Sequence, residues 1–307
     1  MRKKIVVIGS LNYDIILKQN RLPSEGETYA VESAMFCGGG KGANQAVQSA
    51  KLGADVYMVG AVGNDAMGHY LRESLVQYGV KTDYLKTTQT ASGMGIVNSL
   101  EDGTVYANII RGANYEITKE DIDHLDSILD DVKVMILQLE IPVSIVEYAI
   151  EKVHSKGIKV VLNAAPAIPV SENLFKNCDY VIVNEVESSY YCNIEINSVD
   201  TAKKEIVEFS EKYHVKSIFT LGKDGAVIYD GENVKYLPAH KVNAVETTGA
   251  GDSFVGALGY GIVEDMDLLD TAEFATCCSA LTVCKVGAQP SMPTLKEVED
   301  FRNSIDK

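Results

Sequence analysis

Residues 246–259 read Glu-Thr-Thr-Gly-Ala-Gly-Asp-Ser-Phe-Val-Gly-Ala-Leu-Gly. Gly249 and Gly251 lead into an apolar stretch that continues as a helix, and the first turn of a helix has backbone N–H groups without an intrahelical partner. The helix dipole adds partial positive charge there, so the pattern predicts an anion-binding turn. Asp252, inside that turn, could accept the proton of a hydroxyl that attacks a phosphoryl group. The simpler interpretation is that Asp252 only caps the helix.

Short apolar runs alternate with amphipathic helical stretches along the rest of the chain. This alternation predicts a doubly wound α/β fold, in which helices cover both faces of a mostly parallel sheet. The clearest helix begins at Val199, from which apolar residues recur at steps of three and four up to Tyr213. Thr294 and Glu297 have capping-box spacing and predict a last helix that reaches about Asn303. The predicted buried strands are residues 5–8, 56–62, 134–139, 159–162, 180–183 and 217–220.

Residues 11–36 and 93–111 break this alternation. The second region is predicted to be a hairpin, because Asp102-Gly103 between two β-rich runs is a strong signal for a tight turn. We expect strands from both regions to pair into a small separate sheet that lies over the main sheet as a lid. Because no repeat or Pro-rich linker is present, residues 1–307 are predicted to form one domain into which the lid strands are inserted.

The bulk composition narrows the classes of function. With 43 acidic and 28 basic side chains the formal charge is −15, which disfavours binding to nucleic acids and anionic membranes. The apolar run at residues 5–8 is too short for a signal peptide, and no later run approaches a membrane span, so a cytoplasmic protein is expected. The six cysteines show no paired spacing and are expected to be reduced.

Two glycine-rich or polar segments near the N-terminus are candidates for ligand binding. Asn12 and Asp14 stand at alternate positions after the first strand, so both side chains would face the same way and could bind vicinal hydroxyls, although an Asx turn is the commoner use. In residues 38–44, Gly-Gly-Gly-Lys-Gly-Ala-Asn, Lys41 is not followed by Ser or Thr as in an ATPase phosphate loop. This segment suits hydroxyl recognition, or a glycine turn made for close packing.

Further polar residues stand where predicted strands end, which is where parallel sheets place their ligands. Glu140 follows the strand at 134–139, and Asn184 and Glu187 follow the strand at 180–183. Glu187 could hold Mg²⁺ through water, since this ion keeps much of its hydration. The turn at residues 220–225 contains glycine and could approach a nucleotide. Taken singly, each of these segments is also a common loop.

In their order and spacing, these motifs resemble the phosphofructokinase B family of carbohydrate and nucleoside kinases, and within it the ribokinase group. The resemblance spans almost the whole chain. The segments that carry it are residues 9–14 (Gly-Ser-Leu-Asn-Tyr-Asp), 39–47 (Gly-Gly-Lys-Gly-Ala-Asn-Gln-Ala-Val), 138–140 (Gln-Leu-Glu), 163–167 (Asn-Ala-Ala-Pro-Ala), Asn184 with Glu187, 220–222 (Thr-Leu-Gly), 249–252 (Gly-Ala-Gly-Asp) and 287–291 (Gly-Ala-Gln-Pro-Ser).

The resemblance implies an enzyme that transfers the γ-phosphate of ATP to the 5-hydroxyl of D-ribose, with Mg²⁺ and a monovalent cation, usually K⁺, and a homodimer formed through the lid. By position, the catalytic base is Asp252 and the anion hole is Gly249, Ala250 and Gly251. The implied sugar-binding set is Asn12, Tyr13, Asp14, Gly40, Lys41, Gly42, Ala43, Asn44, Glu140 and Asp252. The implied nucleotide and magnesium side is Asn184, Glu187, Thr220, Leu221, Gly222, Lys223, Asp224, Gly225, Gly251 and Thr276. The implied monovalent-cation set is Glu246, Thr248, Thr282, Lys285, Gly287 and Ser291.

Three positions depart from the family pattern. Glu246 stands where the family usually has Asp, and Thr276 replaces a histidine found on the adenine side of some ribokinases. Tyr13 stands where ribokinases carry a small or aliphatic residue, and its ring could crowd the substrate or stack on it. The sequence therefore leaves open a kinase for deoxyribose, another pentose, a hexose or a nucleoside. A non-catalytic sugar-binding protein and a dinucleotide-dependent oxidoreductase are alternatives from other classes.

Overall fold

The computed structural model describes residues 4–101 and 105–305. The strands are β1 (Lys4–Ile8), β2 (Asn12–Gln19), β3 (Ser33–Gly39), β4 (Asp55–Gly63), β5 (Leu85–Thr88), β6 (Gly93–Leu100), β7 (Val105–Ile110), β8 (Val132–Gln138), β9 (Lys159–Asn163), β10 (Tyr180–Val183), β11 (Lys216–Thr220), β12 (Ala226–Tyr229) and β13 (Val234–Leu237). The α-helices are α1 (Lys41–Lys51), α2 (Ala66–Gln77), α3 (Lys119–Asp123), α4 (Val143–His154), α5 (Glu172–Lys176), α6 (Glu185–Cys192), α7 (Val199–Tyr213), α8 (Ala250–Val263), α9 (Leu268–Thr282) and α10 (Leu295–Ile305).

The main sheet has the strand order β13-β12-β11-β10-β9-β8-β1-β4-β5 within the described residues. Every neighbouring pair from β11 to β5 is parallel, whereas the pairs β11–β12 and β12–β13 are antiparallel. All six predicted buried strands are present. The sequence did not indicate β5, β12 or β13. The edge strands β5 and β13 are only partly buried and have no continuous apolar run, whereas β12 is a buried apolar run of only four residues, Ala-Val-Ile-Tyr.

Helices cover both faces of the main sheet, as the alternating pattern predicted. On one face, α4 and α7 pack against β-strand side chains such as Phe219. On the other face, α1, α8 and α9 pack against a second set that includes Ile136. Each fully buried large apolar side chain contributes about 1.5–3 kcal/mol to folding, so these two layers fix where the helix starts lie relative to the strand ends.

Strands β3, β2, β6 and β7 form a separate sheet, in that order. Its central pair is parallel, with Asn12 opposite Gly93 and Asp14 opposite Gly95. The prediction that residues 11–36 and 93–111 pair with each other is confirmed, although β3 extends to Gly39. The predicted tight turn at Asp102-Gly103 lies outside the described residues, while β6 and β7 on either side of it pair antiparallel.

Two predicted helices are confirmed at their boundaries. Helix α7 begins at Val199, where the Ser198 side chain accepts a hydrogen bond from a first-turn N–H group. Before α10, the Glu297 carboxylate accepts from Thr294 N at 2.7 Å, as the capping-box spacing predicted. All six cysteines are free thiols. Within the described ranges, no helix combines the length and apolar character that crossing a bilayer requires.

Candidate active site

The candidate site lies at the carboxyl ends of β1 and β8, beneath the lid sheet. At β1 the strand order changes direction, because β4 lies on one side of it and β8 on the other. Such a switch point opens a crevice in doubly wound sheets. The chain leaves the carboxyl end of β1 to form β2 of the lid, so lid residues reach the crevice together with the starts of α1 and α8.

Asp252 lies in the first turn of α8 and faces the start of α1. Gly249 at the N-cap has φ of +80°, a conformation that side-chain-bearing residues rarely adopt. The Asn44 amide donates to one carboxylate oxygen of Asp252 at 2.8 Å, and the Gln45 amide donates to the other at 3.0 Å. The aspartate is therefore in contact with the glycine-rich platform of residues 38–44, and not turned away from it.

The groups around Asp252 shift the pKa of its carboxyl group in opposite directions. Burial raises the pKa of this carboxyl group, and the nearby Glu140 adds to the rise. The charge of Lys41 and the two amide donors, Asn44 and Gln45, act in the opposite direction. The net pKa is raised above the usual value for aspartate, which is the direction that makes a carboxylate a better proton acceptor.

Lys41 is the cation at the centre of the site. Burial lowers the pKa of its ammonium group, but attraction by Asp252, Glu140 and Glu187 outweighs this, so the pKa is raised. The lysine therefore stays charged at neutral pH. It supplies a positive charge from the platform to the carboxylates of Asp252, Glu140 and Glu187, in a protein whose overall charge is strongly negative.

Asp14 lies on β2 beside two glycines of the neighbouring lid strands, Gly39 and Gly95. A Cβ atom added to Gly39 on β3 or to Gly95 on β6 would collide with the Asp14 carboxylate. Only glycine leaves room for the carboxylate at these two positions. The backbones of β3 and β6 therefore form a flat surface, here called the lid floor, and the Asp14 carboxylate lies on this surface. Asn12 is on the same face of β2, two residues earlier.

Asn12 is held in place by Asn114, a residue that none of the sequence motifs indicated. The Asn114 amide donates to the Asn12 side-chain oxygen at 2.8 Å. The other polar atom of Asn114 accepts from Leu11 N at 2.9 Å. Asn114 is buried and follows β7, the last lid strand. Its hydrogen bonds therefore connect the segment after the lid to the start of β2, where the chain enters the lid.

Asp14 has a strongly perturbed carboxyl group. Burial raises its pKa from 3.8 to about 7, with further contributions from the negative charges of Glu140 and Asp252. Three carboxylates thus surround the volume between lid and platform. A ligand with several hydroxyl donors fits this volume, because each carboxylate offers hydrogen-bond acceptors only.

Tyr13 does not face that volume, so its ring is not placed for the predicted contact with the substrate. The residue alternates with Asn12 and Asp14 along β2, so its ring lies on the opposite face of the lid. There it packs edge-on against Tyr70 of α2, with the ring centroids 5.3 Å apart. Phe36 of β3 lies 6.3 Å from it on the same face.

Glu140 lies at the junction between β1 and α1. Its carboxylate accepts hydrogen bonds from the Ser10 hydroxyl and from Lys41 N, the latter at 3.2 Å. Gly40, with φ of +88°, brings α1 so close to the chain after β1 that a Cβ atom there would overlap the backbone of Asn12. Glu140 therefore joins the lid entry to the start of α1.

On the other side of Lys41, Asn184 and Glu187 form the start of α6. The Asn184 side chain accepts from two first-turn N–H groups, and the Glu187 carboxylate accepts from Asn184 N at 2.8 Å. This capping box is a structural role. Burial also raises the pKa of Glu187, while Lys41 lowers it, so this carboxylate is within electrostatic reach of the site.

The predicted adenine-side residues lie on the main domain. The turn after β11 contains a short 3-10 helix at Gly222–Asp224 and is closed by a 2.7 Å bond from Leu221 N to Gly225 O. Thr276 is buried in α9, where its hydroxyl donates to Ala272 O of its own helix.

The predicted monovalent-cation set comes from two loops that the structure brings together. The Glu246 carboxylate accepts from Gly287 N at 3.0 Å. Val245 N and Glu246 N both donate to Val283 O. Ser291 is fully buried, and its hydroxyl donates to Ala288 O at 2.7 Å, which leaves oxygen lone pairs available to a cation.

Two members of that set, Thr282 and Lys285, have side chains that interact with other groups. The Thr282 hydroxyl donates to Ser253 Oγ at 2.9 Å inside the contact between α8 and α9. The Lys285 ammonium pairs with Glu297 at 2.7 Å on the surface. At positions 282 and 285, therefore, the backbone carbonyl oxygens are the candidate ligands.

Sequence reasoning missed an amide network behind Asp252. Gln45 contacts Asp252, Asn163 at the end of β9 and Gln138 at the end of β8. The signal was present in α1, whose sequence places Gln45 and Gln48 among buried small and apolar residues. A glutamine on the buried face of a helix requires hydrogen-bond partners in the core.

Comparison with known proteins agrees with this geometry. A family model described as pfkB family carbohydrate kinase matches residues 2–295. The ribokinase of Schizosaccharomyces pombe is 37% identical over 97% of this chain and 98% of its own length. The deoxyribokinase of Salmonella typhimurium is 33% identical over 97% and 98%. The structure of Arabidopsis thaliana ribokinase complexed with ribose and ATP superposes with a TM-score of 0.89 at 31% identity, over 98% of both chains. The chain therefore belongs to the pfkB family of carbohydrate kinases.

Proposed function

We propose that this protein is an ATP-dependent kinase that phosphorylates D-ribose at its 5-hydroxyl, with Asp252 as the general base. The observation that carries the proposal is the contact between Asp252, at the start of α8, and Asn44 of the platform. It places a proton acceptor between a hydroxyl-binding surface and an anion-binding helix start. Similarity to ribokinases over nearly the whole chain supports ribose as the acceptor.

The sugar is proposed to lie between the lid floor and the platform. Asn12 and Asp14 contact it from the lid, and Lys41, Asn44 and Glu140 contact it from the main domain. The Asn44 side-chain oxygen is buried and has no hydrogen-bond partner within the described residues. A buried acceptor without a partner costs about 1–3 kcal/mol, and a sugar hydroxyl would satisfy it.

The triphosphate is proposed to lie at the start of α8. The space above Gly251 is open, since a Cβ atom added there would meet nothing within 4 Å. The N–H groups of Gly251 and Asp252 belong to the first helical turn and are available to an anion. The adenosine part is proposed to contact the turn at residues 220–225 and the region of Thr276.

Phosphoryl transfer then follows from these positions. Asp252 takes the proton from the 5-hydroxyl, whose oxygen forms a bond to the γ-phosphorus as the bond to the bridging oxygen of ADP breaks. Lys41 and the α8 N–H groups stabilise the charge on the transferring phosphoryl group. Glu187 is proposed to hold Mg²⁺ through water, which neutralises charge on the nucleotide.

We further propose that K⁺ binds between the loops at residues 246–248 and 282–291. The contact between Glu246 and Gly287 supports this site, since it brings carboxylate, hydroxyl and carbonyl oxygens from both loops together. Activity is expected to rise when K⁺ replaces Na⁺. Because the site adjoins the anion-binding turn, the ion would act on turnover. The enzyme is proposed to act in the cytoplasm, without a nucleic-acid partner.

A substrate panel tests the proposed function. The protein is incubated with ATP, Mg²⁺, K⁺ and one acceptor at a time: ribose, 2-deoxyribose, other pentoses, hexoses and nucleosides. Ribose is expected to give the highest kcat/KM, and phosphorus NMR of the product is expected to show a 5-phosphate. If deoxyribose is preferred, the acceptor assignment is wrong and the chemistry stands, as the similarity to a deoxyribokinase allows. If no acceptor is phosphorylated, the kinase proposal fails.

We also propose that two copies associate through the lid face that points away from Asn12 and Asp14. Phe36, Tyr106 and Ile110 lie on that face and are 56%, 48% and 47% exposed. An exposed apolar sheet face of this kind is typical of a protein contact.

Replacing Phe36 and Tyr106 together by Lys is expected to convert a dimer into a monomer at micromolar concentration, because it places charge in the contact. Sedimentation velocity measures the change. The matched control is Val76→Lys, a similarly exposed apolar position on α2, and it is expected to leave the dimer intact. A wild-type protein that sediments as a monomer would contradict the proposal.

A further inference from the structure

The Gln45 side chain has polar partners from three other elements, although it is fully buried. From α1 its amide group donates to Asp252 on α8 at 3.0 Å and to Asn163 at the end of β9 at 3.1 Å. Its side-chain oxygen accepts from Gln138 at the end of β8 at 2.6 Å. Each polar atom of Gln45 is therefore used, and both strands that it contacts end at the crevice.

The network continues beyond Gln45 into the sheet. The Asn163 amide donates to Ile182 O of β10 at 3.2 Å. Gly9 after β1 leaves the room that Gln138 occupies, since a Cβ atom at Gly9 would overlap the Gln138 side chain. The orientation of the Gln45 amide is thus set by the strand ends, and it presents its N–H group to the aspartate.

Only one carboxylate oxygen of Asp252 is needed to accept a proton. Asn44, which donates to the first oxygen, belongs to the proposed sugar-binding set and has an unpartnered oxygen of its own. Gln45 donates to the second oxygen and belongs to the interior. This contact lies on the interior side of the carboxylate and restricts its rotation.

We propose that Gln45 is a positioning residue for the reaction, which fixes the Asp252 carboxylate against the strand ends and favours its ionised form through a donated hydrogen bond. The inference rests on the proposed role of Asp252 as the base. The other charged groups that face Asp252 are Lys41 of α1, Glu140 after β8 and Asp14 of the lid.

The test is the pH dependence of kcat for Gln45→Glu, measured at saturating ribose and ATP so that titration of Asp14 in substrate binding has little influence. The substitution keeps the side-chain shape but replaces the donor by a carboxyl group beside Asp252. A neighbouring negative charge raises the pKa of a carboxyl group. The acidic limb of the kcat profile, on which kcat rises with pH, is expected to move up by about one pH unit or more. At a pH on that limb, kcat is therefore expected to fall about tenfold.

Gln48→Glu is the matched control. Gln48 is also a buried glutamine, one turn later on α1, but it bonds to Ser253 and to Pro293 O and not to Asp252. A general cost of a buried carboxyl group in α1 affects both variants, and their melting temperatures report it. The acidic limb is expected to move only in Gln45→Glu.

A second variant covers the possibility that Gln45→Glu does not fold. Gln45→Met has similar volume and no donor, and it is expected to move the acidic limb in the same direction by a smaller amount. If folded Gln45→Glu or Gln45→Met shows the wild-type limb, Gln45 has no such role. The base assignment is tested separately, since normal turnover of Asp252→Asn would remove the proposed base, whatever Gln45 does.

Discussion

Replacing Asp252 by Asn is expected to lower kcat by about 10²–10⁴-fold, the range that general acid–base catalysis contributes. The amide has the shape of the carboxylate but cannot take the proton of the attacking hydroxyl. KM for both substrates is expected to change little, because Asn12, Asp14 and Glu140 still bind the sugar and the start of α8 still binds phosphate. Initial rates at saturating substrate, with ATP affinity from calorimetry, measure the two effects.

The hydrogen bonds of Asp252 predict how Asp252→Asn affects the stability of the fold. Asn44 and Gln45 both donate to Asp252, so an amide at position 252 would direct its NH₂ group at one of them. This mismatch is local and is expected to cost a few degrees of melting temperature at most. Asp270→Asn is the control, since Asp270 is also in the first turn of a helix but is exposed to solvent. Near-normal turnover of Asp252→Asn in a folded protein would falsify the general-base role.

The second large effect is expected at Asp14. Asp14→Asn is expected to raise KM for ribose by about 10–100-fold, because a hydrogen bond to a charged group contributes about 1.5–3 kcal/mol. The residue stands on the lid floor and does not contact the proposed phosphate site, so kcat and KM for ATP are expected to change far less. Steady-state kinetics with ribose as the varied substrate measures this. An unchanged KM for ribose would place the sugar elsewhere.

The raised pKa of Asp14 gives two pH dependences with definite signs. Since this pKa is about 7, the carboxylate that binds hydroxyls is lost as pH falls below 7, and KM for ribose in the wild-type protein is expected to rise there. A carboxyl group with a raised pKa stabilises the fold at low pH, and that contribution disappears as pH rises from about 4 to 7. Asp14→Asn is therefore expected to melt higher than wild type at pH 8, with little difference near pH 4.

The sequence was sufficient to predict the architecture. A strand that is buried on both faces of a parallel sheet forms a continuous apolar run in the sequence. Residues 134–139 and 180–183 therefore indicated strands without any knowledge of their neighbours. The same applies to the glycine-rich helix starts at Gly40 and Gly249, since backbone conformations with positive φ favour glycine. The motifs 39–47 and 249–252 also indicated the family, which comparison with known proteins confirmed.

Only the tertiary structure decided how side chains far apart in sequence meet. Tyr13 shows this at short range, because its neighbours Asn12 and Asp14 indicated a ligand site while the pleat of β2 directed the tyrosine ring to α2. Gln45 shows it at long range, because its partners are 93, 118 and 207 residues away in sequence. Local pattern determines which residues are buried, whereas the partners of a buried polar group depend on how strand ends and helix starts are brought together.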